Sequence, residues 1–312
     1  MIDLTIQAVE LAMITSLTVM ALYVSYTMLN VCDLSTDGVF TLGASVGAVV
    51  ALTGHPFLAI FAAIGSGMLA GALTAFLQTK CGVNSLLAGI VVNTGLYSVN
   101  IAVMGASSLV NLNKTKTVFT LMKELLSGTV FERYSKMIVI VIVLILAITL
   151  IILFLKTRLG MALRATGDNP DMVRSSSINT AVITIIGLVL SNSFTALSGC
   201  LLAEYQKSAN IDIGSGMLTI ALASLLIGRL FFRKGGITLG IIGAVIGAIL
   251  FRIVYAFALW LSLPAFLLKA VSSIIVILSI SMPYFVNKAK DATMRKAHRV
   301  PNGFPIPKGG AK

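Results

Sequence analysis

The sequence predicts an all-α protein that crosses a membrane many times, and three observations carry that prediction. Only 11% of its 312 residues are charged and 57% are hydrophobic, against about 25% charged in a soluble domain. Mean hydropathy is +1.00. The apolar residues gather in runs long enough for helices to cross a hydrocarbon core about 30 Å thick, and the alternating strands of a membrane barrel are absent.

Taken in order, the apolar runs occupy about 6 to 28, 39 to 53, 57 to 78, 85 to 105, 137 to 155, 180 to 203, 216 to 232, 237 to 260 and 266 to 286. They suggest about nine transmembrane segments (8–10), the second conspicuously short. The opening MIDLTIQAVE has no basic region and no small-residue cleavage site, so the first run is expected to stay in the mature protein.

Loops on the cytoplasmic side are enriched in Lys and Arg. Here the basic clusters are Lys156, Arg158, Arg164 and Arg174; then Arg229, Arg233 and Lys234; then a tail with Lys288, Lys290, Arg295, Lys296, Arg299, Lys308 and Lys312. Alternating sides along the runs puts all three clusters and Lys80 on one face, opposite Asp3 and Glu10. The N-terminus is therefore expected outside and the C-terminus in the cytoplasm. The connection from Gly105 to Lys136 votes the other way with Lys114, Lys116, Lys123, Arg133 and Lys136, but it is long and also carries Glu124 and Glu132.

Within that connection Val118, Phe119, Met122, Leu125 and Leu126 recur at helical spacing, which predicts a short amphipathic helix on the membrane surface. An external gate, a landing surface and a purely structural interfacial helix are the alternatives for it. Residues 287–312, with Pro301, Pro305 and Pro307 among lysines and glycines, cannot bury a core; a mobile basic tail drawn to anionic lipid headgroups is expected. The formal charge of +12 does not indicate nucleic acid, because the basic residues sit between or after apolar runs without interleaved aromatics.

No phosphate-binding loop and no HExxH motif occurs, and only His55 and His298 are available as imidazole ligands. Cys32, Cys81 and Cys200 are far apart and read as small core residues. No catalytic residues, metal site or cofactor bound by this chain is expected. Glycine pairs at helical spacing (Gly43 and Gly47, Gly67 and Gly71, Gly240, Gly243 and Gly247) predict closely packed helices.

Two polar interruptions stand out. From Asn30 to Gly38 the sequence reads NVCDLSTDG, in which Asp33, Ser35, Thr36 and Asp37 suit a helix N-cap and Gly38 permits a bend. Followed by so short an apolar run, this suits a broken or re-entrant helix whose start lies inside the protein beside a pathway. An ordinary cytoplasmic turn is the alternative. Asn93 and Asn192, near the middles of their runs, must find partners or water, and either line the pathway or hydrogen-bond between helices. Arg252 is expected to pair or to reach toward the surface.

The second interruption is the polar island 156–179. After Gly167 and Asp168, Asn169 can cap a helix that has Pro170 at its first position and Asp171 at its positive end, which predicts a short helix from Pro170 to Ser177. Such a helix, tied to two spans, suits the transmission of force from a soluble partner.

TRLGMALRATGDNP, DLSTDG and ASLLIGR (Ala223 to Arg229), in that spacing, resemble blocks of the ATP-binding-cassette importer permeases of the branched-chain amino acid and ribose type. DLSTDGVFTLGA together with RATGDNPDMVRSSSINT is most similar to the subgroup assigned to tryptophan or tyrosine. The resemblance implies a permease domain over 1–286 that forms the translocation pathway as a homodimer. It also implies separate cytoplasmic ATPase subunits that carry ATP and Mg, and an extracellular or periplasmic substrate-binding protein, at a bacterial plasma (inner) membrane. It further implies that Arg164, Thr166, Gly167, Asp168, Asn169, Pro170 and Asp171 couple to the ATPase, and that Asp33, Ser35, Thr36 and Asp37 lie near the pathway. Asp37 departs from the sugar-type pattern and favours amino acids. An ion-gradient-driven transporter using Asp33, Asp37 or Glu204 is the alternative.

Overall fold

A computed structural model describes residues 2–128, 132, 134–231 and 236–260, with isolated positions at 270, 273, 274, 276, 277 and 281. Apart from those positions the last apolar run, and all of the tail 287–312, therefore fall outside the described residues. The elements are α1 (Ile2–Leu22), extended by a π-helical stretch Tyr23–Met28, α2 (Thr36–Leu52), α3 (Pro56–Thr79), α4 (Ser85–Val103), β1 (Leu109–Asn111) and α5 (Val118–Leu125). They continue with α6 (Ser135–Lys156), α7 (Arg158–Asp168), α8 (Pro170–Ser175), α9 (Thr180–Gln206), β2 (Ser208–Asn210), α10 (Met217–Phe231) and α11 (Ile237–Trp260).

Among the described residues six helices are long and apolar enough to cross a membrane: α1 with its π-helical extension, α3, α4, α6, α9 and α11. The segments 39–53 and 216–232 are shorter helices, α2 and α10. The first eight apolar runs thus fold as six long helices and two partial ones, α2 and α10, which start inside the bundle; the short second run is the broken helix the sequence suggested, and the ninth run lies almost wholly outside the described residues.

Contacts fix the directions. Ser198 Oγ donates to Ile14 O, Ser191 Oγ donates to Ala21 O, and Tyr205 O–H donates to Glu10, so α1 and α9 run antiparallel. Gly43 meets Ala196 and Gly47 meets Cys200, so α2 runs parallel to α9. Gly67 meets Asn192 and Ala196 while Gly71 meets Leu188, so α3 is antiparallel to α9. At one end β1 pairs antiparallel with β2, Val110 opposite Ala209; at the other lie α7 and α8. These are called the sheet end and the island end.

α1 is the centre, with 89% of its apolar window buried, whereas α4 has only 28% of its window covered by the rest of the chain. A Cβ on Gly43 would collide with the Ala196 backbone, and one on Gly199 with the Phe40 carbonyl. α2, α3 and α9 thus touch backbone to backbone, the close approach that small residues permit where no hydrophobic force separates lipid from protein. α10 and α11 repeat the device: Gly228 abuts Gly243, and Gly247 abuts Ser224.

The architecture has two inverted halves. Long α1, a break, partial α2 and long α3 make one; long α9, a break, partial α10 and long α11 make the other. α2 leaves the interior toward the sheet end. α10 leaves it toward the island end, where Gly240 of the following helix rests on the Tyr23 ring.

At the sheet end α5 forms where the amphipathic pattern places it. Thr117 and Thr120 make a reciprocal capping box, and Val118 N donates to the buried Glu204 carboxylate of α9 at 2.9 Å. Phe119 meets the Tyr205 ring edge-on at 5.8 Å, with Lys136 over the same ring at 4.6 Å. Of the cysteines, Cys200 is buried as a core residue, while Cys81 is exposed.

Gly199→Leu is expected to destabilise the purified protein by about 1–3 kcal/mol or more through overpacking. Gly65→Leu, at a position where a Cβ meets open space, should do little. Thermal unfolding in detergent checks this, and equal losses at both sites would contradict the backbone contact.

Candidate functional site

The first turn of α2 sits on the start of α10. Asp37 Oδ1 accepts from Leu218 N at 2.7 Å and its Oδ2 accepts from Gly216 N at 3.0 Å. Thr41 Oγ1 accepts from Gly214 N at 3.2 Å and donates to Asp37 O at 3.0 Å. A helix start inside an apolar bundle leaves backbone N–H groups that must find acceptors. One carboxylate and one hydroxyl from another helix supply them here.

Beside this junction opens a polar pocket of about 330 Å³. α2 contributes Asp37, Gly38 and Thr41; α4 contributes Asn93, Thr94, Tyr97 and Asn100; the segment before α10 contributes Ile211, Asp212 and Ser215. Asn100 Nδ2 donates to Gly38 O at 3.2 Å and ties α4 to the α2 start. On α4, Thr94, Gly95, Tyr97 and Ser98 are exposed in the middle of a membrane-length helix, where polar groups avoid lipid and face water or protein.

Of the residues singled out from sequence for the pathway, Asp37 and Asn93 reach this pocket. Asp33, Ser35, Thr36 and Asn192 gather behind α2 instead. Asp33 Oδ1 accepts from Ser35 N at 2.9 Å and Ser35 Oγ at 2.6 Å, and its Oδ2 accepts from Asn192 Nδ2 at 2.7 Å. Thr36 Oγ1 donates to Asp33 O at 2.9 Å, and Thr74 of α3 approaches Ser35 Oγ at 3.5 Å. Asp33 and Asn192 are each 1% exposed. The cluster is a pin that fastens the break to α9 near that helix's middle. Sequence reasoning missed Tyr97, Thr94, Asp212 and Ser215; the legible signal was the polar stretch DIGSG before the seventh apolar run, which parallels DLSTDG before the second.

The island contains two helices. Arg158–Asp168 folds as α7, with Thr157 Oγ1 accepting from Gly160 N at 3.3 Å. α8 is Pro170–Ser175, two residues shorter than the sequence suggested, and Asn169 Oδ1 accepts from Asp171 N at 3.1 Å and Met172 N at 3.0 Å. The predicted coupling residues divide by direction. Thr166 is buried, Arg164 is half-buried with an unpartnered Nε, and Gly167 rests on the Met28 and Leu29 backbone so closely that a Cβ would not fit. Asp168, Asn169, Pro170, Asp171 and Met172 are exposed. The inner half therefore touches the α1 break, and the outer half is free.

A multi-pass helical protein with two partial helices meeting at a polar pocket is a solute permease by class. Residues 4–280 match the model of the family described as branched-chain amino acid transport system / permease component, and the chain belongs to that family. It is 32% identical to a tyrosine transport system permease protein of Clostridioides difficile, over 85% of this chain and 86% of that protein. It is 28% identical to an uncharacterised protein of Rickettsia prowazekii, over 89% of this chain and 97% of the other. It is also 32% identical to the galactose/methyl galactoside import permease protein of Escherichia coli, over 33% of this chain and 30% of that one. No solved structure matches the chain.

In a Cys81→Ser background, Thr94→Cys and Ser215→Cys should react with a water-soluble thiol reagent about tenfold or more faster than Ser35→Cys, since reactivity follows exposure. Mass spectrometry of the labelled protein reads the rates. Asp33→Ala should destabilise the protein by about 2–4 kcal/mol by stranding Asn192 and Ser35, measured as a fall in unfolding temperature.

Proposed function

We propose that this permease is the membrane subunit of an ATP-driven importer for amino acids, aromatic ones among them. The near full-length likeness to a tyrosine permease protein supports the solute class, and the import permeases among its relatives support the direction. The island end lies at the cytoplasm of a bacterial plasma membrane, the N-terminus lies outside, and the C-terminus is cytoplasmic. The basic residues Lys156, Arg158, Arg164, Arg174 and Arg229 at that end agree with this orientation.

Its partners are a second copy of the chain across the pathway, cytoplasmic ATPase subunits that hold ATP and Mg, and an external substrate-binding protein. The exposed face of α4, polar at its centre, suits the wall of a pathway shared by two copies. The membrane chain itself performs no hydrolysis and binds no cofactor.

The observation that carries the reading is the seating of Gly167 on the α1 break. Force on exposed α8 passes through α7 to Met28 and Leu29, whose neighbours form a π-helical turn and, at Asn30, a left-handed residue with φ 55°. π-helical turns often mark functional sites inside helices. Beyond them the chain is pinned by Asp33 and enters α2, where Asp37 holds the start of α10. A small shift at the island thus reaches both walls of the pocket through contiguous contacts.

Replacing the cap and first helical residue together (Asn169→Ala with Pro170→Gly) is expected to lower ATP-driven uptake about tenfold or more, since each cap element contributes about 1 kcal/mol to a six-residue helix with little else to hold it. The variant should still fold and co-purify with its ATPase. Wild-type uptake in that variant, or uptake driven by a sodium or proton gradient without the ATPase, would overturn the reading.

A further inference from the structure

We infer that Asp212 and Asn100 form the contact for a substrate ammonium group inside the membrane part of the permease. The inference rests on the permease reading above and specifies which end of the substrate the polar pocket receives.

Asp37 is the obvious carboxylate in the pocket, but both of its oxygens are committed to the α10 backbone. Asp212 stands on the opposite wall, in the run of turns between β2 and α10. It is exposed, and its carboxylate makes no hydrogen bond or ion pair among the described residues. An aqueous loop would explain an isolated aspartate. This one instead lines the same pocket as residues from the middle of α4.

Asn100 supplies the independent observation. It is 1% exposed, its Nδ2 donates to the Gly38 carbonyl, and its Oδ1 has no partner among the described residues. That orientation of the amide is dictated by chemistry, since the Gly38 oxygen can only accept. A buried acceptor left unmade costs about 1–3 kcal/mol. An arriving donor recovers that cost.

The lining offers neutral donors in Asn93, Tyr97 and Ser215 but, among the described residues, no cationic one. None of the described Lys and Arg residues lines it, although the chain carries a net charge of +12. An ammonium group offers three donors and a positive charge, and so answers both the carboxylate of Asp212 and the orphan oxygen of Asn100. Tyr97, 53% exposed at the pocket rim, offers a ring face to the rest of an aromatic substrate. A neutral sugar would leave the Asp212 charge unmatched, which gives discrimination by the transferred charge itself.

The test uses the assembled transporter, with its ATPase and binding protein, in proteoliposomes supplied with ATP. Uptake of L-tyrosine and of D-galactose is measured. Asp212→Asn is expected to lower the maximal rate of tyrosine uptake about tenfold or more, the effect of losing one charge-assisted hydrogen bond. KM, set by the binding protein, should stay within about twofold, and Asp212→Glu should restore most of the rate. Co-purification of the ATPase with each variant separates this from misfolding. Undiminished tyrosine uptake by Asp212→Asn would overturn the inference and leave the permease reading intact. A wild-type transporter that moves galactose and not tyrosine would overturn the inference and, with it, the amino-acid assignment of the proposed function. A wild-type transporter that moves neither under ATP would sink the permease reading, and the inference with it.

Discussion

The structure depends on how two helices can begin inside an apolar bundle. Within hydrocarbon every backbone N–H and C=O must be satisfied by protein, or by water in a cavity, and a helix start exposes several N–H groups at once. The chain solves this by placing the two starts together, so that Asp37 in the first turn of α2 accepts from Gly216 and Leu218 at the start of α10. Each start carries roughly half a positive elementary charge, and a single carboxylate offsets both. The junction is then close to neutral. A polar pocket can exist beside it without a large buried charge of its own making, and the sign of that pocket is left to residues such as Asp212.

The inverted arrangement follows from this constraint. Once α2 must leave the junction toward one end and α10 toward the other, the long helices on either side are committed in direction as well. α9 lies parallel to α2 and antiparallel to α1 and α3. The Asp33 cluster fixes where along α9 the break occurs, because Asn192 is its partner. The island, attached at Gly167, then touches the same break from the other side. The pocket, the helix break and the seat of the island share one short stretch of chain, from Tyr23 to Thr41.

Much of this was legible in the sequence, for identifiable reasons. Hydropathy located the long helices because lipid imposes a length and a composition. Asn169–Pro170 announced a helix start through capping chemistry, the spacing of Val118, Phe119, Met122, Leu125 and Leu126 announced α5, and the polar stretch Asn30 to Gly38 announced a break. The phase of that break was not legible: Asp33 and Asp37 are four residues apart, yet one is walled in behind α2 and the other faces the pocket. A break has no periodicity from which to read direction. The start of α10 was also hidden, because 216–232 is apolar enough to pass for an ordinary crossing and its depth is set by contacts with Asp37 and Thr41, far away in sequence. α7 was missed because Gly160 and Gly167 are poor helix formers; Gly160 sits against the Phe154–Leu155 backbone at the end of α6, and Gly167 against Met28 and Leu29.

Those tight contacts also determine stiffness. Where Gly43 and Gly199 let the α2 and α9 backbones touch, no side chain lies between them to change rotamer and absorb a displacement. α2, α3 and α9 therefore behave as one beam, shearing only if whole helices slide. α4 and α6 are different. α4 is fastened to the beam largely by Gly38, Gly89 and the Asn100 amide, while α3 and α6 are parted by an apolar cleft of about 980 Å³ floored by α9. The sparser fastening therefore falls on these two helices, one of which forms the outer wall of the pocket, and the pocket has one wall locked backbone to backbone and one held by a few contacts.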